Sequence, residues 1–361
     1  MALLRKLTRE DITGVVALFE RVHPESRWDS RAACEAYYRE MFFENPWCDL
    51  ELASWVAEVE GCIAGFAGVM PRRMRFGQRA LRVAIGCQFM VDPEQRRSLV
   101  ALLLAKALLA GPQDLFIADG ANDAARRILL GMGGSTPLAC NLHWTRLLRP
   151  ARHALGLLEA RRGLGMVTVA GRPISAAVDA LAARLPPNRF QNDEGLTGAP
   201  LGVDVVLRHL GEAVRGATLQ PEYDARSLTW LLEQASRKTR HGKLRARAVL
   251  DADGNTLGWY IYYARAGGEG EVLQIAAREG AFDAVLRHLF ADAWLQGAAA
   301  LRGRLDPRHL QTLSDRRCWM RREGTWTLVH SPHTDIAEAI NQGGAFLSRL
   351  EGEWWMRFVG G

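Results

Sequence analysis

A long alternating stretch followed by a strand–helix–strand–helix order constrains the fold of this chain most. Residues 54–91 alternate apolar residues with small or charged ones and break at Glu60-Gly61 and Phe76-Gly77. This pattern predicts an antiparallel meander with strands near 54–59, 62–71 and 81–91. A helix, the short apolar strand DLFIADG and the helix NDAARRILLGMGG follow. Because strand–helix–strand order implies a parallel crossover, we expect a mixed sheet with helices on its faces.

The C-terminal part of the chain repeats this order. A hairpin turn at Asp253-Gly254-Asn255 precedes the strand EVLQIAA, the helix AFDAVLRHLFADAWLQG, the strand ALRGRL, a further helix and the strand TWTLVHS. Trp144 and Trp326 occupy corresponding last strands of the two parts, which indicates a diverged duplication. A chain of 361 residues suits two domains. We therefore predict an α/β protein with domains over 1–150 and 203–361, joined by a helical and loop segment over 151–202.

The charge balance favours acidic partners without choosing among them. The chain has 46 Lys and Arg against 40 Asp and Glu, a formal net charge of +6. This balance suits a polyanionic cofactor, an acidic carrier protein or RNA, and equally a solvated basic surface. Basic residues cluster over 72–82 and 237–247, but no stacking-aromatic RNA motif accompanies them, so nucleic acid is not an expected partner.

Several classes of protein are not expected from this sequence. The longest apolar run, Leu99 to Ala110, contains Lys106 and is shorter than the roughly 20 residues of a membrane helix. The charged N-terminus MALLRKLTREDITG does not resemble an export signal. The cysteines are scattered as in a reduced, cytoplasmic protein. His330 and His333 lack a third ligand at zinc-like spacing, so no metal is expected.

The polar loop QRRSLV follows the meander over 95–100, and the helix NDAARRILLGMG follows the next strand over 122–133. These two segments resemble motifs of the GCN5-related N-acetyltransferases, in the tandem form with two such folds in one chain. The family's acyl-CoA loop follows its fourth strand with the sense Gln/Arg-x-x-Gly-x-Gly/Ala. Gln95-Arg96-Arg97-Ser98-Leu99-Val100 stands in that place, directly after Val91-Asp92-Pro93. The resemblance implies that these residues receive the phosphates of acetyl-CoA or another acyl-CoA through backbone amides and the helix dipole. The competing interpretation is a plain helix start with solvated arginines.

In this family the backbone of the fourth strand also contacts the pantetheine arm and the thioester carbonyl. The resemblance assigns this role to Phe89, Met90 and Val91. The loop departs from the family pattern, because Ser98 and Val100 replace its small positions. Ser98 can cap the helix or donate to a phosphate, whereas Val100 is expected to crowd the approach.

The second motif is the helix Asn122 to Gly133, which resembles the family's Asn-x-x-Ala-x-x-x-Tyr-x-x-x-Gly pattern. By resemblance Asn122 lies beside the pantetheine arm, and it can cap the helix at the same time. The family's tyrosine, often the general acid, is replaced by Leu129, so another group or water supplies the proton or the activity is lost. Asp119 and His143 are the candidates for the general base.

These observations predict an acyl-CoA-dependent N-acyltransferase that transfers the acyl group directly to a small-molecule or carrier-linked amine. The alternatives are a catalytically silent binding or scaffold protein, and an acyltransferase using an acyl carrier protein or aminoacyl-tRNA as donor. The second part lacks the phosphate loop over 276–280 and is not expected to bind CoA. Its aromatic strand, with Trp259, Tyr260, Tyr262 and Tyr263, is expected to place about half of these rings in the core, since side chains alternate along a strand.

Overall fold

The structure, a computed structural model, describes residues 2–26, 28–159, 165–182, 190, 195–322 and 324–358. Its strands are β1 (Leu3–Lys6), β2 (Trp55–Val59), β3 (Cys62–Phe76), β4 (Arg79–Val91), β5 (Leu115–Ala121), β6 (Leu142–Leu147), β7 (Thr197–Pro200), β8 (Leu219–Pro221), β9 (Lys243–Leu250), β10 (Thr256–Ala264), β11 (Glu269–Ala277), β12 (Ala300–Arg304), β13 (Trp319–Arg322) and β14 (Trp326–His330). Its helices are α1 (Ile12–Val22), α2 (Arg31–Phe43), α3 (Val100–Leu109), α4 (Asp123–Gly131), α5 (Leu138–Asn141), α6 (Pro150–Glu159), α7 (Gly165–Ala182), α8 (Val203–Ala213), α9 (Ala225–Ser236), α10 (Phe282–Leu295), α11 (Leu310–Asp315) and α12 (Thr334–Asn341).

These elements form two compact units that interleave along the chain. The first unit comprises the described residues of Met1–Asn141, Ala217–Arg237 and Glu323–Gly361, and the second those of Leu142–Gly216 and Lys238–Arg322. The first contains a sheet in the order β1-β2-β3-β4-β5-β14, with β8 also paired to β3. The second contains a sheet in the order β13-β6-β12-β11-β10-β9-β7. Both sheets are mixed and flanked by helices, which confirms the predicted α/β class.

The first unit begins with the meander that the sequence predicts. Strands β1 to β4 pair antiparallel in chain order, and β4 then pairs parallel with β5. Helix α1 follows β1 through a capping box in which Asp11 accepts from the Thr8 amide at 2.8 Å. Val15, Val16 and Phe19 on α1 are buried, so the apolar face of this helix covers the sheet as its spacing predicts.

The last strand of each unit comes from an unexpected part of the chain. The sequence predicts that the Trp144 strand completes the first domain and the Trp326 strand the second. Instead β14 pairs antiparallel with β5, and β6 pairs antiparallel with β12. The strands are exchanged between the units, so contiguous domains over 1–150 and 203–361 do not describe the compact units.

Side chains in the first unit explain why β14 fits beside β5. Trp326 donates from Nε1 to Asp123 at 2.7 Å, and the Arg126 guanidinium lies 3.9 Å from its ring centre. Asn141 accepts from the Thr327 amide at 2.8 Å and donates to the Thr327 carbonyl at 3.1 Å. In the second unit Trp144 is buried against Gly303, where an added Cβ would lie 2.7 Å from its ring. Each tryptophan therefore has a site in the unit that it joins.

The aromatic strand β10 is buried more completely than predicted. Trp259, Tyr260, Tyr262 and Tyr263 each expose 0% of their surface, so all four rings are buried, where about half were expected to be. Hydrogen bonds satisfy the polar atoms of three of these buried rings. Trp259 donates to Gln274 at 2.9 Å, and Tyr262 donates to Asp292 at 2.7 Å. The Tyr260 hydroxyl lies 3.0 Å from His288 Nδ1. Both faces of the second sheet are covered at β10.

Candidate active site

The main feature of the first unit is a split between β4 and β5. These strands pair only at Val83, Ala84 and Ile85 with Leu115, Phe116 and Ile117. Strand β4 continues to Val91 and β5 to Ala121, where β5 keeps β14 as its other neighbour. Within the described residues, the β5 side of β4 therefore lacks a strand partner from residue 86 to residue 91. An unpaired strand edge presents backbone donors and acceptors to a ligand.

A β-bulge lies in β4 where the strands separate. Phe66 pairs with Met90 and Gly68 pairs with Cys87, so two residues of β4 stand opposite one residue of β3. Gln88, one of the two, has a φ of 51°, a left-handed conformation that non-glycine residues seldom adopt. Gly68 allows the close approach, because an added Cβ would lie 2.5 Å from the Cys87 carbonyl oxygen. Sequence reasoning missed this bulge; the glycine inside β3 was its available signal.

The predicted acyl-CoA loop connects β4 to α3 as an exposed turn. Asp92 holds its start, since the carboxylate accepts from Arg21 Nε at 2.8 Å and from the Glu94 amide at 3.0 Å. Arg96 and Arg97 are exposed, and Ser98 Oγ donates to the Gln95 carbonyl at 2.7 Å. The loop therefore projects two guanidinium groups beside the N-terminus of α3.

The amides at this helix start are available to a ligand. Ser98 Oγ accepts from the Val100 amide at 3.2 Å. No acceptor among the described residues occupies the amides of Arg96, Arg97, Leu99, Ala101 or Leu102. The Val100 side chain is buried in a core cluster with Leu104, so it points away from these amides rather than crowding them. Free amides and the positive end of a helix dipole together attract anions.

The residues predicted from resemblance lie around the split. Phe89, Met90 and Val91 form the end of the unpaired edge of β4, and their side chains are 36% exposed, buried and half-buried respectively. Asn122 caps α4 directly after β5, because its Oδ1 accepts from the Ala125 amide at 2.9 Å. Leu129 is buried in a core cluster with Leu108 and Phe116. The position of the family's tyrosine is thus occupied here by a packing residue.

Asp119 lies on β5 beyond the split and is 3% exposed. Its Oδ1 accepts from the Glu353 amide at 2.7 Å, and Gly352 passes so close that an added Cβ would overlap the carboxylate. Asp119 therefore holds the C-terminal segment, residues 345–358, against β5. Glu353 is half-buried, and its carboxylate lies against Gly120. Sequence reasoning missed Glu353, because a contact across 234 positions leaves no local pattern.

Cys87, which lies at the bulge, interacts electrostatically with three other ionisable groups. Burial raises the pKa of the Cys87 thiol well above its usual value, and the negative charges of Glu353 and Asp119 raise it further, while the Arg72 guanidinium opposes them. Arg72, Cys87 and Asp119 lie on the neighbouring strands β3, β4 and β5. We call Arg72, Cys87, Asp119 and Glu353 the polar cluster. A cysteine thiol with a raised pKa is protonated at neutral pH and is a poor nucleophile.

His143, the second candidate base, lies elsewhere. It is a buried residue of β6 in the second unit, where its Cα pairs with those of Arg304 and Arg321. Asp119 belongs to the first unit. The structure therefore groups Asp119 with the split in β4 and β5 and places His143 in a different sheet.

Comparison with solved structures identifies the architecture. A GCN5-related N-acetyltransferase from Anabaena variabilis matches with a TM-score of 0.58 and 13% identity, over 91% of this chain and 72% of that one. A probable N-acyltransferase from Enterococcus faecalis matches with a TM-score of 0.59 and 9% identity, over 92% and 73%. A GCN5-related N-acetyltransferase from Kribbella flavida matches with a TM-score of 0.55 and 15% identity, over 91% and 70%. No protein-family model matches this chain, and no curated protein matches it in sequence.

This chain has the fold of the GCN5-related N-acetyltransferases. The acyl-CoA motif that was predicted from the sequence lies on β4, the loop over 92–99 and the start of α3. The tandem form stays a prediction. No helix in the described part of the chain is both long enough and apolar enough to span a bilayer.

Proposed function

We propose that this protein is an N-acyltransferase that transfers an acyl group directly from acyl-CoA to an amine. One observation carries the proposal: the split between β4 and β5 leads into a loop whose amides and arginines are open at a helix N-terminus. The split suits a narrow, amide-bearing chain and the loop suits a polyanion. Acyl-CoA combines both in one molecule. The fold similarity supports the same class of reaction.

The unpaired edge of β4 is proposed to bind the pantetheine arm as an added strand, through the backbone of residues 86–91. The bulge at Gln88 turns the backbone locally and directs its groups toward the thioester carbonyl. Arg96, Arg97 and the amides beside them receive the phosphates. Asn122 lies at the start of α4, directly after β5, the strand on the other side of the split.

Transfer then requires the amine nitrogen to attack the thioester carbon. A C–N bond forms, the C–S bond breaks, CoA leaves as its thiolate, and the amine loses one proton. We assign acceptance of that proton to Glu353, directly or through water, because it is more exposed than Asp119. Asp119, predicted as the base from the sequence, positions the segment that carries Glu353. Leu129 has no proton to give, so the thiolate takes its proton from water.

Calorimetry with CoA and acetyl-CoA tests the donor site. The matched variants are Arg96→Ala/Arg97→Ala and, as a control, Arg73→Ala/Arg75→Ala, which removes the same charge from exposed positions of β3. We expect the first variant to weaken binding at least tenfold, since each arginine–phosphate contact in such a loop is charge-assisted. The control is expected to bind within about twofold of the unmodified protein, allowing for long-range screening of its charges.

Each other result has a defined meaning. Equal losses in both variants would show that net charge alone attracts CoA and would contradict the loop assignment. If the unmodified protein binds CoA through the loop, so that the loop variant abolishes binding, and yet releases no thiol with any amine in a screen, that result would favour a silent binding protein. Absence of CoA binding by the unmodified protein would overturn the donor proposal and leave a carrier-linked donor to be tested with an acyl carrier protein.

A further inference from the structure

Arg72 is a buried cation with unsatisfied donors. Its side chain lies on β3 and is 4% exposed. Nη1 donates to the Pro71 carbonyl at 3.0 Å, whereas Nε and Nη2 have no hydrogen-bond partner among the described residues and are shielded from solvent. Burial lowers the pKa of Arg72 to about 10, and the group remains charged at neutral pH. Buried charges are normally paired, so two open nitrogens on a buried guanidinium indicate a missing partner.

The two open nitrogens lie on the same edge of the guanidinium. Nε–H and one Nη2–H point in parallel, which matches the spacing of two oxygens on one carboxylate or phosphate group. Trp355 adds a third donor, because its indole Nε1 is also buried without a partner in the described part of the chain. The centre of its ring lies 5.6 Å from Arg72 Cζ. The arrangement suits a planar anion with two oxygen atoms.

The charges around Arg72 favour a ligand with one negative charge over a ligand with two. Glu351 is close enough to raise the pKa of Arg72, but its own oxygens accept from Tyr223 Oη, the Ser348 amide at 2.7 Å and Ser348 Oγ. Asp119 and Glu353 carry further negative charge in the polar cluster. A dianionic phosphate would be repelled by these carboxylates more strongly than a carboxylate would.

Aromatic rings connect Arg72 to the surface. The Trp47 ring centre lies 4.1 Å from Arg72 Cζ, and Trp230 packs edge-on against both Trp47 and Trp355, at 6.2 and 5.9 Å. Trp230 also lines an open groove of about 480 Å³ together with Glu44, Pro46, Ala225, Arg226, Thr229 and Glu233. Trp230 thus separates the groove from the rings that flank Arg72. A ligand that displaces Trp230 would meet the Trp47 and Trp355 rings, which in turn contact the Arg72 guanidinium.

We propose that the Nε–Nη2 edge of Arg72 binds the carboxylate of the acyl acceptor, which is an amino acid or a similar amine that carries a carboxylate and an apolar body. The acceptor role rests on the proposed N-acyltransferase function. It follows from position, because Arg72 pairs with Val83 of β4, the strand whose open edge begins three residues later, at residue 86. The carboxylate site itself depends only on the contacts of Arg72 and Trp355.

Binding of a matched pair of probes tests the carboxylate site on the unmodified protein. Phenylacetate and phenylacetamide share a ring and differ in whether the polar end is a carboxylate or a neutral amide. Arginine ¹H–¹⁵N NMR follows the Nε–H signal of Arg72, assigned by its absence in Arg72→Lys. We expect phenylacetate to shift that signal and to bind at least tenfold more tightly than phenylacetamide. Equal binding of the two probes, or an unmoved Arg72 signal, would overturn the site.

Variants and a second anion sharpen this test. Arg72→Lys keeps the charge but lacks the two-nitrogen edge, so the preference for phenylacetate should fall at least fivefold. Arg75→Lys, at an exposed position of the same strand, is the control and should keep the preference. If Arg72→Lys does not fold, the affinities of phenylacetate and phenylacetamide for the unmodified protein still test the carboxylate site. Inorganic phosphate displacing phenylacetate at equal concentration would contradict the preference for a single charge.

Acyl transfer then separates this inference from the function on which it rests. With acetyl-CoA, we expect thiol release with free amino acids and at least a tenfold smaller kcat/KM with the corresponding amino acid amides. Thiol release with amides and amines equal to that with free amino acids would refute the acceptor class while the N-acyltransferase function stands. Phenylacetate binding without any acyl-CoA binding would refute the function and the acceptor role, and would leave Arg72 as a carboxylate site.

Discussion

Replacement of Leu129 by alanine tests whether the position of the family's tyrosine has become part of the core. The Leu129 side chain is 5% exposed and packs with Leu108, Phe116 and Leu328. An added Cβ at Gly134 would lie 2.7 Å from Leu129 Cγ, so the neighbouring backbone is already in close contact. Because such a site relaxes little, we expect Leu129→Ala to lower the free energy of unfolding by about 3 kcal/mol.

Leu130→Ala is the matched control, since Leu130 is the next residue of α4 and is 38% exposed. Its truncation should cost less than about 1 kcal/mol. Urea unfolding followed by circular dichroism measures both variants. With a slope near 3 kcal/mol per molar, the Leu129 variant should unfold roughly 1 M earlier than the unmodified protein, provided that the slope is unchanged. Equal midpoints for the two variants would refute the assignment of Leu129 to the core.

Two further predictions concern the exchanged strand and the pH range of stability. Asn141→Ala should destabilise the protein by about 1–3 kcal/mol, because it removes two hydrogen bonds to the buried backbone of Thr327; thermal unfolding measures the loss, and an unchanged melting temperature would contradict it. Burial lowers the pKa of His309, stacked on Phe282, from 6.5 to about 4. Its neutral form is therefore fully stabilising above pH 6.5, and this contribution is lost as pH falls toward 4. His309→Phe should lose less stability than the unmodified protein over that interval in acid titrations of unfolding, and an identical loss would argue against the lowered pKa.

Local patterns determined much of the fold in advance. The breaks at Glu60-Gly61 and Phe76-Gly77 are turns, and both glycines have positive φ. The second hairpin turns at Gly254, which has a φ of 82°. The apolar stripe with Phe282, Val285 and Leu289 lies on the buried face of α10. In each case the residues that specify the element are neighbours in the sequence, so their spacing is sufficient.

Features that depend on distant partners could not be predicted in this way. Both β6 and β14 are short strands with a tryptophan, and the sequence of neither segment indicates which sheet edge it joins. The bulge at Gln88 depends on the register with β3, which a single strand does not encode. Around the split, Asn122 was predictable because it caps the helix that follows it. Arg72 and Glu353 were not, because Trp355 and Asp119 meet them from remote parts of the chain.

The exchanged strands also set an order of events during synthesis of the protein. Asn141 and its partner Thr327 are 186 positions apart, and the whole of the second unit lies between them in the chain. The outer edge of β5 therefore emerges from the ribosome long before β14 is made, and it stays unpaired until β14 is available. An unpaired edge of this kind is a target for wrong pairing between chains. The first unit, whose synthesis begins first, is therefore completed last. A stall or truncation before residue 326 would release a protein whose first sheet lacks β14.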